Sequence, residues 1–211
     1  MIARCCVEPS NTFLYINDSP KADGTFSAML VDASCDVEAL KNILAKKNAS
    51  LDFIVLTHGH YDHVTSLEAL KEAFPDALTI CHRLENDTLT DIDANVSDLF
   101  EDPKTFPACE KTVDEGDEIV LKGADADVKF KVLHTPGHTP GCICLYNEPE
   151  KFIFTGDTVF ADGGVGRTDF KGGSMKILNE SLERLSHLGD DVTILPGHGR
   201  PSTIGDELYF F

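Results

Sequence analysis

Basic side chains are scarce in this chain. Eighteen lysines and arginines face 36 aspartates and glutamates, a formal charge of −18 at pH 7. Such a surface repels nucleic acid and anionic lipid, so neither is an expected partner. An anionic substrate has to find a local basic patch, which makes each Lys or Arg near a candidate site informative. Long apolar runs are missing as well: none approaches the roughly 20 residues that span a bilayer, so no membrane partner is expected. The opening stretch MIARCCVEPSNTF has no apolar core of signal-peptide length, because Pro9, Ser10 and Asn11 interrupt it. The expected location is cytoplasmic, with an organelle matrix left open. Zinc-ribbon CxxC pairs are absent among the seven cysteines, an odd number. Cys142 and Cys144 alternate along an apolar strand pattern and are expected on one buried face; all seven are read as reduced thiols.

What is present is an ordinary globular composition, 42% hydrophobic and 26% charged over 211 residues, enough to bury a sizeable core. Strands are predicted at Thr12–Ile16, Ala28–Asp32, Phe53–Leu56 and Leu78–Cys81. Asp36 is placed to cap a helix carrying Val37, Leu40 and Leu44 on one face, and a second helix from Ser66 carries Leu67, Leu70 and Phe74. Residues 86–112 are acidic and without period, a loop or short helices able to overhang a site. Further strands are predicted near Glu118–Leu121, Val128–Leu133, Cys142–Tyr146 and Phe152–Thr155. A helix from about Ser174 to Leu188 and a strand Val192–Leu195 follow. Each half reads as strands followed by helices with no linker between. The expectation is one domain over 1–211, an α+β fold of two mixed sheets flanked by helices.

The densest chemistry lies in LTHGHYDHVTSLEAL, Leu56 to Leu70, where His58, His60, Asp62 and His63 follow an apolar run. Later strand ends each add a residue of the same kind on a Gly/Pro turn: His138 in HTPGHTPG, Asp157 in FIFTGDTVF, His198 in TILPGHGRPSTIGDE. Imidazole and carboxylate donors suit zinc, and also iron or manganese. Seven donors exceed one tetrahedral shell; they fit two divalent ions about 3.5–4 Å apart with a shared carboxylate. His134 is read as a structural histidine or a support for a ligand, His187 as a helix-end surface residue.

The order T-H-G-H-Y-D-H followed by single His, Asp and His motifs resembles the metallo-β-lactamase superfamily, from Asn11 to Glu207. The resemblance implies an αββα sandwich with the site at one edge of the sheets. It implies that His58, His60 and His138 hold one ion, that Asp62, His63 and His198 hold the other, and that Asp157 bridges them. Water between two such cations loses a proton near neutral pH and becomes a nucleophile, with Asp62 placed to orient it.

GVGRTDF, Gly164 to Phe170, and PGHGRPSTIGDE narrow the resemblance to the glyoxalase II-like branch, the hydroxyacylglutathione hydrolases. That branch implies a glutathione thioester such as S-lactoylglutathione as substrate. Thirteen residues follow His198, so the resemblance is to short members without the C-terminal helical glutathione-binding domain. Arg167 stands where longer members carry a glutathione-contacting lysine; pairing with Asp169 to lock its loop is the competing reading. Lys171 and Arg200 are weaker candidates. The rival within the superfamily is a mononuclear-iron persulfide dioxygenase, disfavoured because PGHG with STIGDE stands where dioxygenases read PAHDY. Hydrolysis of lactones or other esters, and a metal-bound but non-catalytic binding role, are the remaining alternatives.

Overall fold

The computed structural model describes residues 1–6 and 8–209; Val7, Phe210 and Phe211 of the expected 1–211 unit lie outside the described residues. The first half runs β1 (Ile2–Cys6), β2 (Thr12–Pro20), β3 (Phe26–Val31), α1 (Val37–Lys47), β4 (Ala49–Val55), α2 (Tyr61–Val64), α3 (Leu67–Ala73) and β5 (Leu78–His82). Then come α4 (Glu85–Leu89), α5 (Ile92–Asn95), a 3-10 turn Ser97–Phe100 and β6 (Lys111–Val113). The second half runs β7 (Glu118–Leu121), β8 (Val128–His134), β9 (Ile143–Asn147), β10 (Phe152–Gly156), α6 (Met175–Ser186), β11 (Thr193–Pro196), β12 (Ser202–Thr203) and α7 (Ile204–Glu207).

Strands β1 to β6 form one sheet in sequence order, and a second sheet has the order β12-β11-β10-β9-β8-β7. Both are mixed: β3, β4, β5 and β6 run parallel, as do β10 and β11, while the other pairings are antiparallel. The period of two along each strand splits its side chains between two cores. In β2, Leu14 and Ile16 face the helix side while Phe13 and Tyr15 face the opposite sheet. In β3, Ala28 and Leu30 divide from Met29 and Val31 in the same way. In the second sheet, Ile143, Leu145, Phe152 and Phe154 point inward, and Cys144 and Ile153 point out to α6.

Helices close both outer faces. Leu40 and Leu44 of α1, with Leu67 and Leu70 of α3, cover the first sheet; Leu178, Leu182 and Leu185 of α6 cover the second. This is the expected α+β arrangement, an αββα sandwich of two mixed sheets. The caps behave as the sequence suggests, with Asp36 accepting from Ala39 N at 2.7 Å and Ser174 capping α6. The edge strand β1 and the three-residue β6 are additions to the predicted set, and residues 86–112 resolve into α4, α5 and the 3-10 turn. Cys142 and Cys144 are buried as expected, and all seven cysteines are free thiols. Among the described residues no helix is long and apolar enough to cross a membrane.

The inter-sheet core holds an aromatic cluster of Phe13, Tyr15, Phe130, Phe152 and Phe154, with ring centroids 5.0–6.1 Å apart. Phe154 is fully buried within it. Truncation leaves a cavity between two sheets that cannot collapse independently. Phe154→Ala is expected to cost about 3–5 kcal/mol in urea unfolding, and a loss under about 1 kcal/mol would show that the sheets can close over the gap.

Candidate metal centre

Four strand ends meet at one edge of the sandwich. β4 leads into Thr57–His58, β8 into the turn bearing His138, β10 into Asp157, and β11 into His198. The edges are stitched together by backbone: Ile143 N donates to Thr57 O at 2.9 Å, Gly197 N to Gly156 O at 2.7 Å, and Asn11 N to Gly197 O at 2.7 Å. Helix α2 carries Asp62 and His63, and its position is fixed by Ala33 N donating to His63 O at 2.7 Å.

All seven donors predicted from the sequence come together here. The nitrogens of His58, His60 and His138 lie within 4.8 Å of one another, as do the donor atoms of Asp62, His63 and His198. Asp157 faces both sets: Oδ1 lies 3.2 Å from His63 Nε2, and Oδ2 lies 3.6 Å from His138 Nε2 and 3.5 Å from His198 Nε2. Asp62 Oδ2 is 3.1 Å from His198 Nε2 and 3.7 Å from His63 Nε2.

The outer nitrogens are tied down. His138 Nδ1–H donates to Arg167 O at 2.6 Å, and His63 Nδ1–H donates to Asp32 Oδ2 at 2.8 Å. Thr57 Oγ1 gives its proton to Asp32 and so receives His58 Nδ1–H at 3.2 Å. Each of these bonds fixes the tautomer that turns a lone pair inward. The inner atoms His58 Nε2, His60 Nε2, His138 Nε2 and Asp157 Oδ1 are buried with no hydrogen-bond partner. An unmet buried polar atom costs about 1–3 kcal/mol. Four converging on one edge, in a His/Asp donor set, fit two adjoining divalent cations.

Protonation follows the same division. Burial and neighbouring imidazoles hold His58 well below the usual histidine range; burial and His138 push His60 down to about 3, and burial lowers His138. The first set is therefore neutral at pH 7, the state that binds a metal. Burial works against charge on His63, yet Asp157 and Asp32 hold it well above the ordinary value. Burial likewise opposes charge on His198, but hydrogen bonds to Asp157 and Asp62 lift it to about 9. In the ion-free protein, protons on these two imidazoles balance the carboxylates, and a cation there has to displace them.

The centre opens into a cleft of about 500 Å³ walled by Val96, Leu99, Phe100, Phe160 and Phe170, with Arg167 also on its lining. A neighbouring cavity of about 650 Å³ under Gly163 and Glu207 contains none of the seven donors. Arg167 makes a bidentate pair with Asp169 at 2.7 and 2.6 Å and lies 4.0 Å over the Phe170 ring. Lys171 donates to Asp91 at 2.5 Å and Arg200 to Asp162 at 2.6 Å. His134 is a structural histidine: its Nε2–H donates to Pro140 O at 2.9 Å and its ring stacks on His82. His187 is exposed at the end of α6.

Two supporting carboxylates escape the sequence reading. Asp32, which takes Thr57 N–H at 2.8 Å besides His63, sits at the end of an apolar run, the same signal that flags Asp157. Glu85, buried beneath Gly59, lies just before the periodless acidic stretch and had no such signal.

Protein purified without chelator is expected to carry about two transition ions per chain by metal analysis. Adding zinc to the ion-free protein at pH 7 is expected to release protons from His63 and His198, read with a pH indicator in weak buffer. Proton competition for those two nitrogens rises as pH falls, so zinc affinity drops toward acid; pH-independent affinity would contradict the assignment of charge.

Comparison with known proteins agrees with the geometry. Residues 9–198 match the family model described as the metallo-beta-lactamase superfamily. The chain is 32% identical to hydroxyacylglutathione hydrolase GloC of Haemophilus influenzae over 198 residues, covering 88% of this chain and 86% of that protein. It superposes on the BLEG-1 B3 metallo-beta-lactamase with TM-score 0.84 and 28% identity, covering 98% and 95% of the two chains. On TTHA1623 in a di-iron-bound form the TM-score is 0.77 at 27% identity, covering 98% and 99%. A four-layer sandwich, donors for two ions at one edge and a match along nearly the whole sequence place this chain in the metallo-beta-lactamase superfamily.

Proposed function

We propose that this protein is a thioester hydrolase of glyoxalase II type, cleaving S-(hydroxyacyl)glutathione such as S-lactoylglutathione to a hydroxyacid and glutathione. The observation that carries the reading is the completeness of both donor sets beside one cleft. A second full set, Asp62, His63 and His198, favours the binuclear hydrolase over the mononuclear-iron dioxygenase. The 32% identity to a hydroxyacylglutathione hydrolase supports the substrate class.

His58, His60 and His138 would hold one divalent ion and Asp62, His63 and His198 the other, with Asp157 turned to both; zinc is the proposed metal. Ions held there supply Lewis acidity toward a carbonyl oxygen and lower the pKa of water to near neutrality. Asp62, partly open to the cleft, would orient the attacking hydroxide as well as help hold its metal. The apolar wall of Val96, Leu99, Phe100 and Phe170 keeps other water from the acyl carbon. The leaving thiolate needs no strong general acid, because a thiol of pKa about 8.5 departs readily. Arg167, and more weakly Lys171, meet a glutathione carboxylate at the rim.

Thiol release from S-lactoylglutathione is expected to be well above the buffer rate, followed with a thiol reagent. If other thioesters are cleaved and this one is not, the substrate is wrong and the hydrolase reading stands. Oxygen uptake on glutathione persulfide with one iron per chain would replace it with the dioxygenase. Asp157→Ala is expected to abolish turnover, and a variant keeping most of its rate would remove that residue from between the ions.

A further inference from the structure

Glu85 is completely buried and takes no part in the chemistry above. Its Oε2 accepts Gly59 N–H at 2.7 Å, and Gly59 separates His58 from His60. Its Oε1 accepts Gly141 N–H at 2.7 Å and Thr139 Oγ1–H at 2.7 Å, on the turn that carries His138. The glycines allow this close approach: an added Cβ at Gly141 would lie 2.8 Å from Oε1, closer than a side chain tolerates without a shift, and at Gly59 a tight 3.1 Å from Oε2. Two of the three partners are backbone N–H groups that can only donate, and Thr139 Oγ1–H donates as the third. Burial raises the Glu85 pKa, and these donated bonds act against it, toward the carboxylate.

Glu85 thus joins the loop of two first-set histidines, from one sheet, to the loop of the third, from the other sheet. The second set is held by different contacts: Asp32 on His63, Ser10 Oγ on Asp62 O at 2.9 Å, and Asn11 beside His198 through Pro196 O and Gly199 O. We propose that Glu85 is a positioning residue for the first ion alone, setting the separation at which the Nε2 atoms of His58, His60 and His138 converge. The inference rests on the metal-centre reading and adds to it a division of labour between the two ions.

The test is Glu85→Gln, which has one acceptor oxygen where the carboxylate has two. Its amide N–H must then face Gly59 N–H or Gly141 N–H, and one loop is released. The expected result is a first ion bound about 10–100-fold more weakly with the second ion unchanged. Zinc content after dialysis against graded chelator reads the loss. The cobalt-substituted protein identifies the site, because paramagnetically shifted His138 and His63 Nδ1–H signals report the two ions separately. Equal weakening of both ions would make Glu85 a general fold residue and overturn the proposal, as would unchanged affinity for both. Should Glu85→Gln not fold, Thr139→Val removes one of the three bonds at matched shape and is expected to weaken the first ion by a smaller factor. Wild-type protein that binds no ions overturns the metal centre itself; wild-type with two ions and a variant with the same two overturns only the role of Glu85.

Discussion

The inward nitrogens of His58, His60 and His138 have no protein partner, and this unmet requirement governs how the edge of the sandwich is built. Neutral imidazoles packed at centroid distances of 4.5–4.9 Å do not attract one another strongly enough to order themselves. Each must be held from behind. Thr57 with Asp32 holds His58, and the Arg167 carbonyl holds His138. The supports come from the turn just after β3, from the loop after β10 and from α4, so the site exists only when both sheets and the overhanging segment are assembled. Folding energy and site geometry are in this sense one problem: the aromatic core keeps the sheets in register, and the register brings the four strand ends together.

Charge is arranged on the same plan. The chain is strongly acidic overall, yet the carboxylates at the centre are those whose neighbours favour ionisation. Burial alone would raise the Asp157 pKa, and His63 with His198 hold it well below the ordinary range instead. In the ion-free protein the two imidazolium protons offset Asp62 and Asp157, which is why a cluster this buried is tolerated without a lysine or arginine among its donors.

How legible this was depended on the range over which each signal acts. Continuous apolar runs in β2, β3 and β10 report burial on both faces of a strand, the alternation in β8 and the 3.6-residue rows of α1 and α6 report a single covered face, and so these elements could be read locally. β1 and β6 are edge strands whose existence depends on a neighbour, Thr12–Tyr15 for one and Ile80–His82 for the other. The seven donors were legible because five sit just beyond a buried strand on a turn, and Asp62 and His63 follow at once on the short α2, so ligand-type side chains mark each strand end. Glu85 was not, because its partners are backbone groups 26 and 56 residues away, and backbone donors leave no mark on composition.

The Arg167 side chain takes the loop-locking pair with Asp169, and anion capture is its proposed second use. Its guanidinium is held by Asp169 on an exposed face, with both side chains more than half open to solvent. Such a surface pair is worth about 0–1 kcal/mol. A substrate carboxylate entering the cleft offers the same bidentate geometry in a less solvated place, so the exchange costs little. The contact that matters to the centre is made by the Arg167 carbonyl to His138 Nδ1–H, not by the side chain. The guanidinium can therefore turn toward a ligand while its own backbone goes on orienting a metal-site histidine, and loop locking and anion capture need not compete.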